Sequence, residues 1–188
     1  MLSYIKEFDR YLEITGFKNV KFSQAEKFLK KNRKELARNF DVQFFDAQLI
    51  ASSDHLYFAI LNSLQAFHYK NNISKSLAME TMLYASSQRQ IKKAIELIGV
   101  KEETKNIAVI FIGQDPTILE TALESFARFA GVETDEKVLE MSKAKEESIK
   151  KIFQISEEEI DAILKDNDYE KAVVNLVIER VALLSVRV

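Results

Sequence analysis

The chain has 188 residues, 47% of them hydrophobic and 30% charged, which supplies apolar surface for one folded domain and leaves too little length for a second of full size. It contains no cysteine, which excludes disulfides, thiolate catalysis and zinc sites built on cysteine. The net charge of -2 conceals a division: residues 1–40 carry ten basic and five acidic side chains, whereas residues 133–171 carry thirteen acidic and seven basic.

The start, MLSYIKEFDRYLEITGF, lacks the apolar core of a secretory signal, and no stretch approaches the roughly 20 apolar residues of a membrane span. A cytoplasmic protein without membrane association is expected. Residues 11–20, YLEITGFKNV, alternate as a strand does, and Ser23 with Glu26 has the spacing of a capping box opening a basic helix over about 23–39. Residues 42–50, VQFFDAQLI, read as a second strand. Ser52, Ser53 and Asp54 are natural N-caps for a helix over 55–69. Two further helices are expected over 75–86 and 88–98, the second ended by Gly99 in the C-cap manner.

The run 106–113, NIAVIFIG, is continuously apolar, β-branched and closed by glycine, which predicts a strand central to the sheet. Pro116 suits the first turn of a helix reaching Ala130. Residues 134–151 are charged and read as largely helical. Ser156 and Glu159 form a second capping box, and Asp168 can cap a closing helix over about 168–185. Strands separated by several helices, without regular alternation, predict an α+β fold: one domain over 1–188 with a small mixed or antiparallel sheet packed with helices.

The closing helix is apolar on two sides. Ala172, Val173, Leu176, Val177, Val181 and Leu184 form one stripe, and Val174, Ile178, Ala182 and Leu183 lie on the other flank. Such a helix packs on its own core and on a partner, or else is a wholly internal helix; a final strand VALLSVRV is the third reading.

A catalytic account lacks parts. Gly16, Gly99, Gly113 and Gly131 form no phosphate-binding loop, so neither nucleotide nor any other cofactor is expected. His55 and His68 are too far apart in sequence for a helical metal pair, and no metal site is expected. Ser53, Asp54 and His55 are adjacent at a helix start and cannot form a relay, so capping explains them. Glu157, Glu158 and Glu159 complement a helix dipole and read as a solvated face. Asn72, Ile73 and Ser74 match a glycosylation sequon that carries no meaning without secretion.

Between residues 70 and 93, Lys70, Lys75, Arg89, Lys92 and Lys93 face a single acid, Glu80, with Tyr69 and Tyr84 nearby. The set could neutralise phosphates and stack a base of single-stranded RNA, or be a solubilising face on which Arg89 pairs with Glu80. The charge division of the whole chain likewise fits either a polyanion partner or two solvated faces.

The segments FDAQLIASSDHLYFAILNSLQAF, NISKSLAMETMLYASSQRQIKKAIELIGV and the closing ERVALL resemble the PRPK-binding protein family, the kinase-binding subunit of the KEOPS (EKC) complex. The residues that carry the resemblance are Asp46, Ala47, Ile50, His55, Leu56 and Ala59, then Glu80, Leu83, Tyr84, Ser86, Arg89, Gln90, Ile91 and Ala94. Ala51 and Ser52 depart from it where a glycine-containing turn is expected. The resemblance implies a non-enzymatic subunit that binds and stimulates an atypical protein kinase or ATPase, and touches other KEOPS subunits indirectly. It further implies that the subunit holds the 3′ CCA end of tRNA for threonylcarbamoyladenosine (t6A) modification at position 37. The kinase contact is then expected at Val174, Ile178, Val181 and Leu184, and the tRNA contact at Lys70, Lys75, Arg89, Gln90, Lys92 and Lys93. The rival reading is a small-molecule enzyme with His55 as base and Arg89 as anion clamp, which requires a pocket joining the two.

Overall fold

A computed structural model describes residues 2–31 and 39–186. In chain order its elements are β1 (Leu2–Ile5), β2 (Arg10–Phe17), α1 (Phe22–Lys31), β3 (Phe40–Asp46), α2 (Ser53–His68), α3 (Leu77–Ala85), α4 (Ile91–Ile98), β4 (Ile107–Gly113), α5 (Pro116–Ala130), α6 (Lys143–Phe153), α7 (Glu157–Ile163) and α8 (Tyr169–Leu183). The four strands form one antiparallel sheet in the order β1-β2-β4-β3, the expected α+β arrangement.

Every residue of β4 is buried, because helices cover both faces of the sheet. Ala108, Ile110 and Ile112 join Leu12, Ile14 and Phe45 against α2, α3 and α4. Ile107, Val109 and Phe111 face the other way, with Phe17 and Phe44, onto α1 and α5. There Phe126 sits with its ring centroid 5.0 Å from those of Phe17, Phe28 and Phe44. Aromatic packing of this kind adds to the area each ring buries. A third cluster, including Ile149, Phe153, Ile160, Val173 and Val177, joins α6, α7 and α8 and takes in Ala51 ahead of α2.

Several sequence expectations are corrected. β1 was not anticipated: four residues with only Ile5 buried leave too short a pattern to read. The second strand ends at Asp46, because that carboxylate accepts the Gln48 N–H at 3.0 Å and turns the chain into a 3-10 turn at Ala47–Leu49. Helix α1 starts at Phe22, with Gln24 accepting the Lys21 N–H at 2.8 Å, while Glu26 pairs with Lys30; Ser23 and Glu26 do not make the start. The end expected for that helix, about residue 39, lies beyond its described portion. Gly99 ends α4 in an extended conformation, not a left-handed one. Glycine is required there because a Cβ would lie 2.5 Å from the Ile95 carbonyl oxygen.

The stretch 134–151 holds less helix than expected. Thr134 bridges to Phe17, Glu136–Leu139 is a 3-10 turn, and α6 begins only at Lys143. The turn lies so close to β2 that a Cβ on Gly16 would stand 2.1 Å from Val138 Cγ2 and 2.8 Å from the Asp135 oxygen. Gly16→Ala should therefore push the 135–139 segment off the sheet and destabilise the protein by about 2 kcal/mol, in the range of overpacked sites, as measured by urea unfolding.

Candidate functional site

Helix α8 is capped by Asp168, which accepts the Lys171 N–H at 3.0 Å, and it packs on α2, α3, α6 and α7. Ala172, Val173, Leu176, Val177, Val181 and Leu184 are buried. Val174, Ile178 and Leu183 are half-buried, and the exposed face is Lys171, Asn175, Glu179 and Ala182. Most of the apolar excess is thus spent inside the chain, and residues 181–186 are helical, not a strand; the last two residues of VALLSVRV lie outside the described ones. Among the four expected kinase contacts, Val181 and Leu184 are 0% and 1% exposed and belong to the core. Val174 and Ile178 reach the surface, at the rim of the polar face.

The expected basic strip is divided. α3 lies between its two ends, and Ala78 and the run from Glu80 to Ala85 are buried, so no continuous surface runs along it. Lys70 and Lys75 stand at its N-terminal end, where Lys75 lines a cleft of about 740 Å³ with Phe8, Arg10, Asp41 and His68. Arg89, Gln90, Lys92 and Lys93 stand at the other end, exposed around the start of α4. Gln90 is the N-cap, so the helix expected from 88 starts at Ile91 and Lys92 and Lys93 lie in its first turn. Tyr69 is 64% exposed and available for stacking, whereas Tyr84 is buried. Glu80 is fully buried and its carboxylate accepts N–H groups from Ile73 (3.0 Å) and Ser74 (2.6 Å), so it holds the α2–α3 loop.

A hydrogen bond ties the second basic group to α8. Ser87 adopts a left-handed conformation (φ 52°) after α3, its N–H bonding the Tyr84 oxygen and that of Gln88 the Leu83 oxygen. Its hydroxyl donates to the Arg180 carbonyl at 2.9 Å. Arg180 pairs through its guanidinium with Glu159, which also completes the capping box with Ser156. Glu157 accepts from Lys150 and Tyr169. The acidic trio is therefore more than a solvated face, since two of its members bridge helices.

His55 is 0% exposed. Its Nδ1 accepts the Ala51 N–H at 3.2 Å and its Nε2–H donates to the Ala85 carbonyl at 2.8 Å, which sets the tautomer. The Ser52 hydroxyl caps the same turn by accepting the His55 N–H. Burial lowers the imidazole pKa to about 4, against the Ala85 hydrogen bond and aided by the charge of Lys145. With both nitrogens occupied and no access, His55 cannot act as base on a solvent-borne substrate. Lys145, which sequence reasoning passed over inside a charged helix, is 5% exposed and donates to the carbonyls of Ile50 (3.1 Å) and Val138 (2.5 Å). Among the described residues no helix is long and apolar enough to cross a membrane, and no group of three or more His, Asp or Glu could hold a metal.

A family model for the kinase-binding protein CGI-121 matches residues 17–185. The chain belongs to the CGI-121 kinase-binding family. It is also 34% identical, over 113 residues covering 60% of this chain and 70% of the relative, to the regulatory protein Cgi121 of Methanocaldococcus jannaschii. This is the family that the residues around Asp46, His55 and Glu80 resemble. The Ala51–Ser52 departure is accommodated in the fold: Ala51 is buried against α6 and α8 with its N–H on His55, and Ser52 is the cap.

The pKa of His55 gives a stability prediction of defined sign. The unfolded chain takes up a proton near pH 6.5 and the folded chain only near 4, so stability present above pH 6.5 is lost as pH falls through that window. The loss should reach about 3 kcal/mol. Urea unfolding at pH 7 and pH 4.5 should show the gap between wild type and His55→Gln narrowing at the lower pH.

Proposed function

We propose that the chain is a non-catalytic subunit of a KEOPS (EKC) complex that binds and stimulates the complex's atypical kinase or ATPase and helps recruit the 3′ CCA end of tRNA for t6A modification at position 37. The observation that carries this reading is the kinase-binding family match over residues 17–185, extending through α8. Stimulation would come from positioning the partner, not from a donated group, since His55 is enclosed and Lys145 is occupied by main-chain carbonyls.

The kinase contact is assigned to the α8 rim, with Val174 and Ile178 as apolar anchors beside Lys171 and Glu179. Val181 and Leu184 would act from beneath, by fixing the helix. Replacing Val174 or Ile178 with Asp should weaken kinase binding by about 2 kcal/mol or more, the scale of central interface residues, and leave the circular-dichroism spectrum unchanged. Folded variants that bind the co-purified kinase as wild type does would place the interface elsewhere.

For tRNA, Arg89, Gln90, Lys92 and Lys93 form the principal basic group. The first-turn N–H groups of α4 add to their attraction for phosphate. Lys70 and Lys75, separated from them by the nine residues of α3, about 13 Å of helix, would meet a different nucleotide. Tyr69 can stack a base at that end. Filter binding should give tight binding to intact tRNA, weaker binding to tRNA lacking CCA, and loss of that difference in the Lys92→Glu, Lys93→Glu double variant. Equal binding of both RNAs by both proteins would remove tRNA from the proposal and leave kinase binding alone.

A further inference from the structure

Lys145 is the one buried lysine among the described residues, and its ammonium makes two hydrogen bonds with three N–H groups to place. A buried ammonium ordinarily faces a carboxylate, because removal from water is offset only by a close counter-charge and full hydrogen bonding. Here its two partners are both neutral carbonyls, those of Ile50 and Val138. The Asp46 carboxylate acts on it only through space, its two oxygens being occupied by the Gln48 N–H at 3.0 Å and the Thr104 hydroxyl at 2.8 Å. Glu140 also acts at a distance, from the exposed end of the adjoining turn. Burial accordingly lowers the Lys145 pKa to about 8.

Lys145 lines a cavity of about 220 Å³ between the 3-10 turn at Glu136–Leu139, the β3–α2 connection and the start of α6. The remaining wall is rich in donors. Lys137 and Lys18 supply two more ammonium groups, the latter held by Asp135 at 2.5 Å. Asn106 uses its carbonyl oxygen to accept the Asn19 N–H. Ser142 occupies the N-cap position of α6 in extended conformation, yet its side chain caps no N–H, so the first turn of an eleven-residue helix has no side-chain cap. Glu140 is the one acid on this wall.

We propose that this cavity binds a small oxyanion of the phosphate class, free or as a phosphate monoester, with Lys145 and Lys137 as its charged partners and the Ser142 hydroxyl and α6 N-terminus as neutral donors. The anion supplies a counter-charge in direct contact, which Asp46 and Glu140 provide only at a distance, and draws together the 135–139 turn, the Ile50–Ala51 connection and α6. The site is distinct from the α8 rim and from the basic groups around α3, and it does not rest on the kinase or tRNA reading.

The test is a titration of the full-length protein with sodium phosphate, with adenosine 5′-monophosphate and with sodium chloride at matched ionic strength, followed by NMR of ¹³Cε-labelled lysine and by thermal unfolding. Phosphate should bind saturably, move the Lys145 titration upward from about 8 and raise the melting temperature beyond the chloride control. Lys145→Met, which removes a buried charge and should fold, is expected to weaken binding at least tenfold, and Lys137→Gln and Ser142→Ala severalfold. Tighter binding of the nucleotide than of phosphate identifies a monoester as the source; equal or weaker binding identifies free phosphate. A Lys145 titration that follows ionic strength alone, or identical phosphate binding by wild type and all three variants, overturns the proposal.

Discussion

The imidazole of His55 joins two main-chain groups that belong to different elements: the Ala51 N–H just before α2 and the Ala85 carbonyl at the end of α3, 30 residues beyond His55 itself. Phe153 of α6 closes over it edge-on at 5.4 Å between ring centroids. Both main-chain groups are buried and need partners, and one neutral ring satisfies them together. The neutral form is required, because a proton on Nδ1 would oppose the Ala51 N–H. The helical layer on this side of the sheet is therefore registered by hydrogen bonds at its centre as well as by apolar packing, which alone tolerates sliding.

The same device recurs. Glu80 reaches from α3 to the N–H groups of Ile73 and Ser74, and Lys145 reaches from α6 to the carbonyls of Ile50 and Val138. In each case a long side chain from a helix holds the backbone of a connection between the main helices and strands. These contacts make the loops part of the core. The surfaces they support, at Lys70–Lys75 and at the mouth of the Lys145 cavity, are presented on a held frame, which lowers the entropy lost when a partner binds.

The two surfaces proposed for partners are also joined. Ser87 stands between α3 and the basic start of α4, and its hydroxyl meets the Arg180 carbonyl on α8, whose guanidinium is anchored on Glu159 of α7. A partner that shifts α8 therefore bears directly on the segment carrying Arg89 to Lys93. Under the proposed function, a contact at one surface would be transmitted to the other through these two hydrogen-bonded residues.

From the sequence alone, local chemistry could be read where it was self-contained. The continuous apolar run of β4, the Ser156–Glu159 capping box, the Ser52 and Asp168 caps and the motif residues of the kinase-binding family are all patterns within a few positions of one another. The tertiary structure decided whatever depends on residues far apart in the chain. The apolar flanks of α8 could not be divided between core and surface until α2, α3, α6 and α7 were placed around them. A strip of five basic residues became two groups because α3, buried on nearly every side, lies between them. The roles of His55, Glu80 and Lys145 were hidden for the same reason: each bonds main-chain groups, which every residue possesses, so no side-chain pattern marks the partner. Only the fold, by bringing those groups within about 3 Å, makes the interaction specific.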